Sequence, residues 1–154
     1  RIVRRAKLRR KPEDAGMLSV LVVEDEASLA NLLKHVLTNE GFNVRTAKNR
    51  DEILAELRQP PRPDLVLLDV VLPDVDGFLV LQKIRQHPGL KNVPVVMLTA
   101  KATRDAVLEG LAGGADGYIT KPFEIDVLVK AVNVVLGLSE GGESGEADQD
   151  LWPA

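Results

Sequence analysis

The sequence predicts an α/β domain in which one parallel sheet lies between two layers of helices. Three observations predict it. Short apolar runs alternate five times with longer amphipathic stretches, the rhythm of successive strand–helix units. Three of the runs, at 18–23, 65–68 and 93–98, are almost unbroken Val, Leu and Met, as strands covered on both faces must be. Glycine and proline fall between units, at Gly41, Pro60-Pro61, Gly113-Gly114 and Gly137.

The first strand spans 18–23. A helix over 26–39 follows, with Leu29, Leu32, Leu33, Val36 and Leu37 on one face, and Gly41 stops it. A second strand at 42–47 leads to a short helix at 51–57 that turns Ile53, Leu54 and Leu57 inward. Pro60-Pro61-Arg62-Pro63 breaks the chain before the third strand, 65–68, which runs directly into Asp69. A loop through Pro73 reaches Gly77 and a helix that continues to Arg85. The fourth strand is 93–98, the fourth helix 101–111, the fifth strand 118–120 and the last helix 124–136.

At 154 residues with 45% hydrophobic content, the chain is long enough for one well-cored domain with a flanking segment at each end. Charge divides it the same way. Residues 1–11 hold seven basic and no acidic residues, and 139–154 hold five acidic and no basic ones, leaving 13 basic against 18 acidic in 12–138. We therefore expect a basic arm or linker at 1–16, the domain at 17–138, and an acidic tail at 139–154 too poor in apolar residues to fold. The arm reads as a linker helix with a charged face rather than a nucleic-acid contact, and no DNA-reading module fits in the remaining residues. The absence of cysteine excludes disulfides and thiolate metal sites. No apolar run approaches the roughly 18 residues of a membrane span, and no signal-peptide pattern follows the basic start, so a cytoplasmic protein is expected. A first residue of Arg is what a piece of a longer chain would show.

In open parallel sheets, sites form beyond the carboxyl ends of the strands. Strand one ends in Glu24-Asp25-Glu26, strand three in Asp69, strand four in Thr99-Ala100, and strand five in Lys121-Pro122. Carboxylates gathered at one edge repel each other unless a cation joins them. All the donors are hard oxygens, which suits Mg²⁺; Zn²⁺ would want His or Cys, and His35 and His87 fall elsewhere. An oxygen nucleophile, a hard cation, an ammonium and a hydroxyl are the parts of phosphoryl transfer. Asp69 would attack phosphorus, Mg²⁺ and Lys121 would neutralise the equatorial oxygens, Thr99 would bond one of them, and the small Ala100 would leave room for entry.

Each residue also has a plainer use. Asp69 can cap a turn, Glu24-Asp25-Glu26 can open a helix, Thr99 can cap the fourth helix, Lys121 can be a solvated charge, and Tyr118 a static half-buried strand residue. Four segments at four strand ends weigh against these uses: 22–26, Asp69 to Gly77, 95–100, and Gly114 to Phe123. Together they resemble the receiver domain of two-component response regulators, a domain also carried by hybrid histidine kinases. The resemblance covers about residues 17–137.

That resemblance implies a flavodoxin-like (βα)5 three-layer sandwich, its five-stranded parallel sheet in order 2-1-3-4-5. It implies a switch in a His-Asp phosphorelay rather than a conventional enzyme. Asp69 takes the place of the phosphoacceptor. Glu24, Asp25, Asp69 and the backbone carbonyl of Val71 take those of the Mg²⁺ ligands. Thr99 and Lys121 take those of the switch hydroxyl and phosphate-binding lysine, and Tyr118 that of the aromatic that turns inward on activation. The Lys121-Pro122 bond is expected to be cis. Val71 and Lys101 stand at positions that tune phosphoryl lifetime, and an apolar Val71 predicts slow dephosphorylation. The implied partners are a histidine kinase or phosphotransfer protein, and a second copy or an output domain on the face of the fourth helix, fifth strand and last helix. Two other functions are a flavin-binding module, which needs a phosphate-cradling loop after strand one, and an interaction domain indifferent to phosphorylation.

Overall fold

The computed structural model describes residues 2–3 and 17–138. The rest of the arm and the acidic tail lie outside the described residues. Among those described there are six strands and five helices: β1 (Ile2–Val3), β2 (Ser19–Val23), α1 (Ala27–Asn39), β3 (Asn43–Ala47), α2 (Arg50–Arg58), β4 (Leu65–Leu68), α3 (Gly77–Gln86), β5 (Val95–Thr99), α4 (Arg104–Ala112), β6 (Gly117–Thr120) and α5 (Ile125–Val135). They form one sheet in the order β1-β6-β5-β4-β2-β3. Strands β2 to β6 are mutually parallel, so the five strands expected from the sequence lie in the order 2-1-3-4-5. The addition is β1. It runs antiparallel on the outer edge of β6, with Ile2 opposite Tyr118 and Val3 opposite Gly117, inside a segment the sequence assigns to an arm.

Alternation along the buried strands divides the core between the two faces of the sheet. Val20, Val22, Leu65, Leu67, Val96, Leu98 and Ile119 point to α1 and α5, packing on Leu33, Leu37, Leu128 and Val132. Leu21, Val23, Val66, Leu68, Val95, Met97 and Tyr118 point to α2, α3 and α4, packing on Ile53, Leu81, Ile84 and Ala106.

Several boundaries shift for local reasons. Strand β5 starts at Val95 because Pro94 has no amide hydrogen for the ladder, although its carbonyl accepts from Val66 N at 2.9 Å. Helix α4 starts at Arg104, three residues later than expected, because Thr103 is its cap: its hydroxyl accepts from Ala106 N at 3.2 Å. Thr99 is not a helix cap. On α1 the buried stripe is Ala30, Leu33 and Leu37, while Leu32 is exposed, about a hundred degrees round the helix from Leu33. On α2 only Ile53 is buried; Leu54 and Leu57 are half-covered and face the space beside α3.

Candidate functional site

Strand β2 has β3 on one side and β4 on the other, so the connection through α1 runs one way and the next, from β3 through α2, returns past β2 the other way, which opens a crevice at the carboxyl edge. The register there pairs Val23 with Leu68, so the next residues, Glu24 and Asp69, leave the sheet side by side. Their backbones stay fixed: Glu24 N donates to Ala47 O at 3.0 Å and Asp69 N to Val23 O at 3.1 Å. Two strands away, Thr99 pairs with Thr120, and Lys121 N donates to Thr99 O at 2.9 Å. The Lys121-Pro122 bond is cis, as is Pro60-Pro61, which the sequence reading leaves unremarked.

From that position Lys121 reaches back over the edge. Its Nζ donates to Glu24 Oε1 at 2.6 Å and to Asp69 Oδ2 at 3.0 Å. Both carboxylates are nearly sealed from solvent, at 3% and 5% exposure. Their other oxygens take backbone amides: Glu24 Oε2 accepts from Glu26 N and Asp69 Oδ1 from Val71 N, each at 3.1 Å. Burial raises Glu24 above the ordinary carboxylate value, and the Lys121 and Glu26 hydrogen bonds offset only part of that. Burial would lower Lys121, but its bonds to Glu24 and Asp69 and their charges outweigh this, so it is held raised and cationic.

Asp25 is exposed and completes an acidic trio. One oxygen from each of Glu24, Asp25 and Asp69 lies within 4.8 Å of the others. Three hard oxygen donors around one opening suit a divalent cation, with Lys121 supplying positive charge from the protein side. Asp25 and Glu24 do not act as side-chain caps; α1 is preceded by Glu26, whose side chain makes no capping bond. Val71 turns its side chain outward at 61% exposure.

Thr99 is fully buried, and its Oγ1 accepts from Lys101 N at 3.2 Å. The loop after β5 thus holds the hydroxyl instead of the carboxylates. Tyr118 is not half-buried: it is 1% exposed, and its hydroxyl donates to the Lys101 carbonyl at 2.5 Å. The aromatic is therefore inward in this structure, with its ionisation pushed up to about 12 by burial and by the charges of Asp69 and Glu109. The two histidines are elsewhere: His87 caps the end of α3, and His35 pairs with Asn39 on the exposed side of α1.

Three supporting residues escape the sequence reading. Arg85 Nε and Nη2 donate to Gly114 O at 3.0 and 2.7 Å, Nη1 donates to Val93 O at 2.6 Å, and Nη2 pairs with Asp116 at 3.0 Å. This ties α3 to the turn before β6, where Gly114 has φ +99°. Gly77 lies against the backbone of Asp69. Gly110 lies under the Tyr118 ring: a β-carbon there would stand 3.0 Å from Cδ2 and 3.1 Å from Cε2. A glycine opening one amphipathic helix and another inside a second are the signals available; Gly110 would weaken its helix unless something approaches it closely.

Gly110→Ala is accordingly expected to push the ring off its seat and weaken its bond to Lys101. Tyr118 is the single tyrosine, so an alkaline absorbance titration reads it alone. The wild type should ionise near 12 and the variant closer to the ordinary value of about 10. Identical titrations would refute the packing role. The sign for stability follows. Unfolded tyrosine ionises first, so the wild-type fold should lose stability as pH rises from about 10 to about 12.

The sequence and the fold both match known proteins. The family described as "Response regulator receiver domain" matches residues 20–133. The probable transcriptional regulatory protein TcrX of Mycobacterium tuberculosis (strain ATCC 25618 / H37Rv) is 43% identical over 124 residues, covering 80% of this chain and 51% of its own. The chain spans about half the length of the curated relatives it matches. Among solved structures, a putative response regulator from Chloroflexus aurantiacus J-10-fl superposes with TM-score 0.73 at 37% identity, covering 78% of this chain and 98% of its own. The Mn(2+)-bound form of response regulator Rcp1 does so with TM-score 0.65 at 32% identity, covering 79% and 91%.

Proposed function

The chain belongs to the response regulator receiver domain family, and from that premise we propose that it is a phosphoacceptor switch with Asp69 as the acceptor. One observation carries the reading: Lys121 bridges Glu24 and Asp69 at the mouth of the acidic trio. In the proposed step an Asp69 oxygen attacks phosphorus and forms an acyl phosphate. The bond from phosphorus to a donor's imidazole nitrogen breaks, and that nitrogen keeps the electron pair. Lys121 turns from the carboxylates to the transferred group and balances its charge. Glu24, Asp25, Asp69 and the Val71 carbonyl would hold Mg²⁺, which supplies charge neutralisation at the phosphoryl oxygens. That the similar structure of response regulator Rcp1 is a Mn(2+)-bound form supports divalent-ion binding by this chain. Thr99 would leave Lys101 N for a phosphoryl oxygen, and Tyr118, already inward, would be held there.

On this reading the chain is a switch rather than a conventional enzyme. A histidine kinase or phosphotransfer protein supplies the phosphoryl group, and a second copy or an output domain reads the face of α4, β6 and α5. No described helix is long and apolar enough to cross a membrane, and we place the protein in the cytoplasm. A flavin reading is disfavoured because Glu24, Asp25 and Glu26 stand where a phosphate would need a cradle.

Incubation with acetyl phosphate and Mg²⁺ should add one phosphoryl group, seen by intact mass, and chelation of Mg²⁺ should prevent it. Asp69→Asn should abolish the addition; labelling of that variant at the wild-type level would sink the assignment. The exposed apolar Val71 cannot orient a water by hydrogen bonding, so the mark should be long-lived. Val71→Asn should shorten its half-life severalfold in a decay assay, and an unchanged half-life would count against that role.

A further inference from the structure

Helices α2 and α3 lie on the second face of the sheet, and both start at its carboxyl edge. Arg50, Ile53, Leu54, Leu57 and Arg58 recur at i, i+3, i+4, i+7 and i+8, so one stripe of α2 faces its neighbour. Leu79, Val80, Lys83 and Ile84 form the answering stripe of α3. The stripes do not close on each other, and a groove of about 420 Å³ lies between them. Its floor is apolar and open to solvent, with Leu79 43% exposed.

Charge is sorted along the groove. Arg50 stands at the end nearest the carboxyl edge, Arg58, Arg62 and His87 stand at the other, and Lys83 lies between. Arg62 is packed in place, its guanidinium lying where a β-carbon at Gly89 would stand. Nearby acids serve other partners: Glu56 pairs with Arg45 at 3.0 Å, and Asp74 Oδ1 accepts from Arg50 N at 3.0 Å. No acidic residue lines the groove, and among the described residues its three arginines and Lys83 make no ion pair. This basic rim belongs to a stretch, 12–138, with 18 acidic against 13 basic residues. A single anionic headgroup would answer only one end. A groove about 14 Å long, cationic at both ends and apolar between, instead fits a helix that carries several acids. We propose that it receives an amphipathic helix of another protein. Apolar anchors at i, i+3 or i+4, and i+7 would rest on the floor, with acidic side chains against Arg50 at one end and Arg58 and Arg62 at the other. The proposal stands independently of phosphorylation at Asp69.

The test uses the full chain and a synthetic, fluorescein-labelled three-turn helix with Leu at i, i+3, i+4 and i+7 and Glu on both flanks. The peptide's anisotropy should rise and saturate at one peptide per chain, and added salt should weaken the binding. The same peptide with Lys for each Glu should not bind. Arg58→Glu with Lys83→Glu should weaken binding about tenfold or more, because like charges would then meet across the interface. The far-ultraviolet circular dichroism of that variant should match wild type. Should it misfold, amide spectra of the wild-type chain decide: the peptide should shift resonances of α2 and α3 and leave those of α1 and α5 in place. Absence of saturable binding would overturn the proposal, as would equal binding of the Lys peptide or shifts centred on α1, α4 or α5. So would capture of the chain by phosphatidylglycerol vesicles with no binding of the peptide, which would make the groove a membrane contact.

Discussion

Gly77→Ala should be among the most damaging single-methyl additions to this domain. A β-carbon at Gly77 would stand 2.2 Å from Asp69 O, 2.6 Å from Val70 Cα and 2.9 Å from Asp69 C. All three are main-chain atoms and cannot rotate away. The first turn of α3 would have to lift, breaking the 2.8 Å bond from Gly77 N to Val70 O and the bridge between Val71 and Asp76. Overpacking typically costs about 1–3 kcal/mol when side chains can yield. With rigid backbone on the other side we expect about 3 kcal/mol or more, a large share of the 5–15 kcal/mol typical of whole domains. The measurement is the urea midpoint against wild type. A variant within about 0.5 kcal/mol of wild type, the range of neutral surface changes, would mean that α3 adjusts freely. Because the same turn positions Asp69, phosphorylation by acetyl phosphate should fall in whatever fraction stays folded.

Lys121→Met should cost nearly as much by a different route. It leaves Glu24 and Asp69 buried beside each other with no counter-charge. Removing one partner of a buried pair commonly costs about 3–5 kcal/mol. We expect about 3 kcal/mol at neutral pH, the low end of that range, because the Lys121 side chain is itself 19% exposed. Two conditions should restore the variant. Glu24 is already raised by burial, and losing Lys121 removes two influences that lower it. A carboxyl raised in the fold favours folding most below its unfolded value and loses that contribution as pH rises through the folded one. The deficit should therefore shrink as pH falls from neutrality. Millimolar Mg²⁺ should also stabilise the variant more than the wild type, since the cation would replace the missing charge. Equal urea midpoints for the two proteins at neutral pH without Mg²⁺ would show that the bridge contributes nothing.

Much of this site is legible in the sequence because it is made by strand ends. An apolar run that stops at an acid fixes where that acid emerges, and a parallel sheet brings the ends together. Glu24, Asp69, Thr99 and Lys121 were readable in this way, and the order of the five parallel strands followed from the resemblance those segments carry. What escaped depends on distances between segments that no local pattern encodes. Arg85 reads as an ordinary helix-surface cation, yet it collects carbonyls from two loops. Gly77 reads as a helix start and Gly110 as a weak helix former, and only their neighbours show that backbone bars a side chain at the first and that a ring crowds one at the second. The fourth helix reads from 101 in the sequence, with Thr99 as a possible cap and Thr103 inside it; the later start at Arg104, with Thr103 as the cap, depends on the length of the loop after β5.

The short strand β1 covers one edge of the sheet. The outer margin of β6 would otherwise offer bare amides and carbonyls, a template on which a strand from another molecule can grow. Ile2 and Val3 occupy that margin opposite Tyr118 and Gly117. They act as a selvedge on the woven sheet. A neighbour meeting the molecule on this side finds the main chain opposite Tyr118 already stitched, and must grip side chains of α4 and α5 instead.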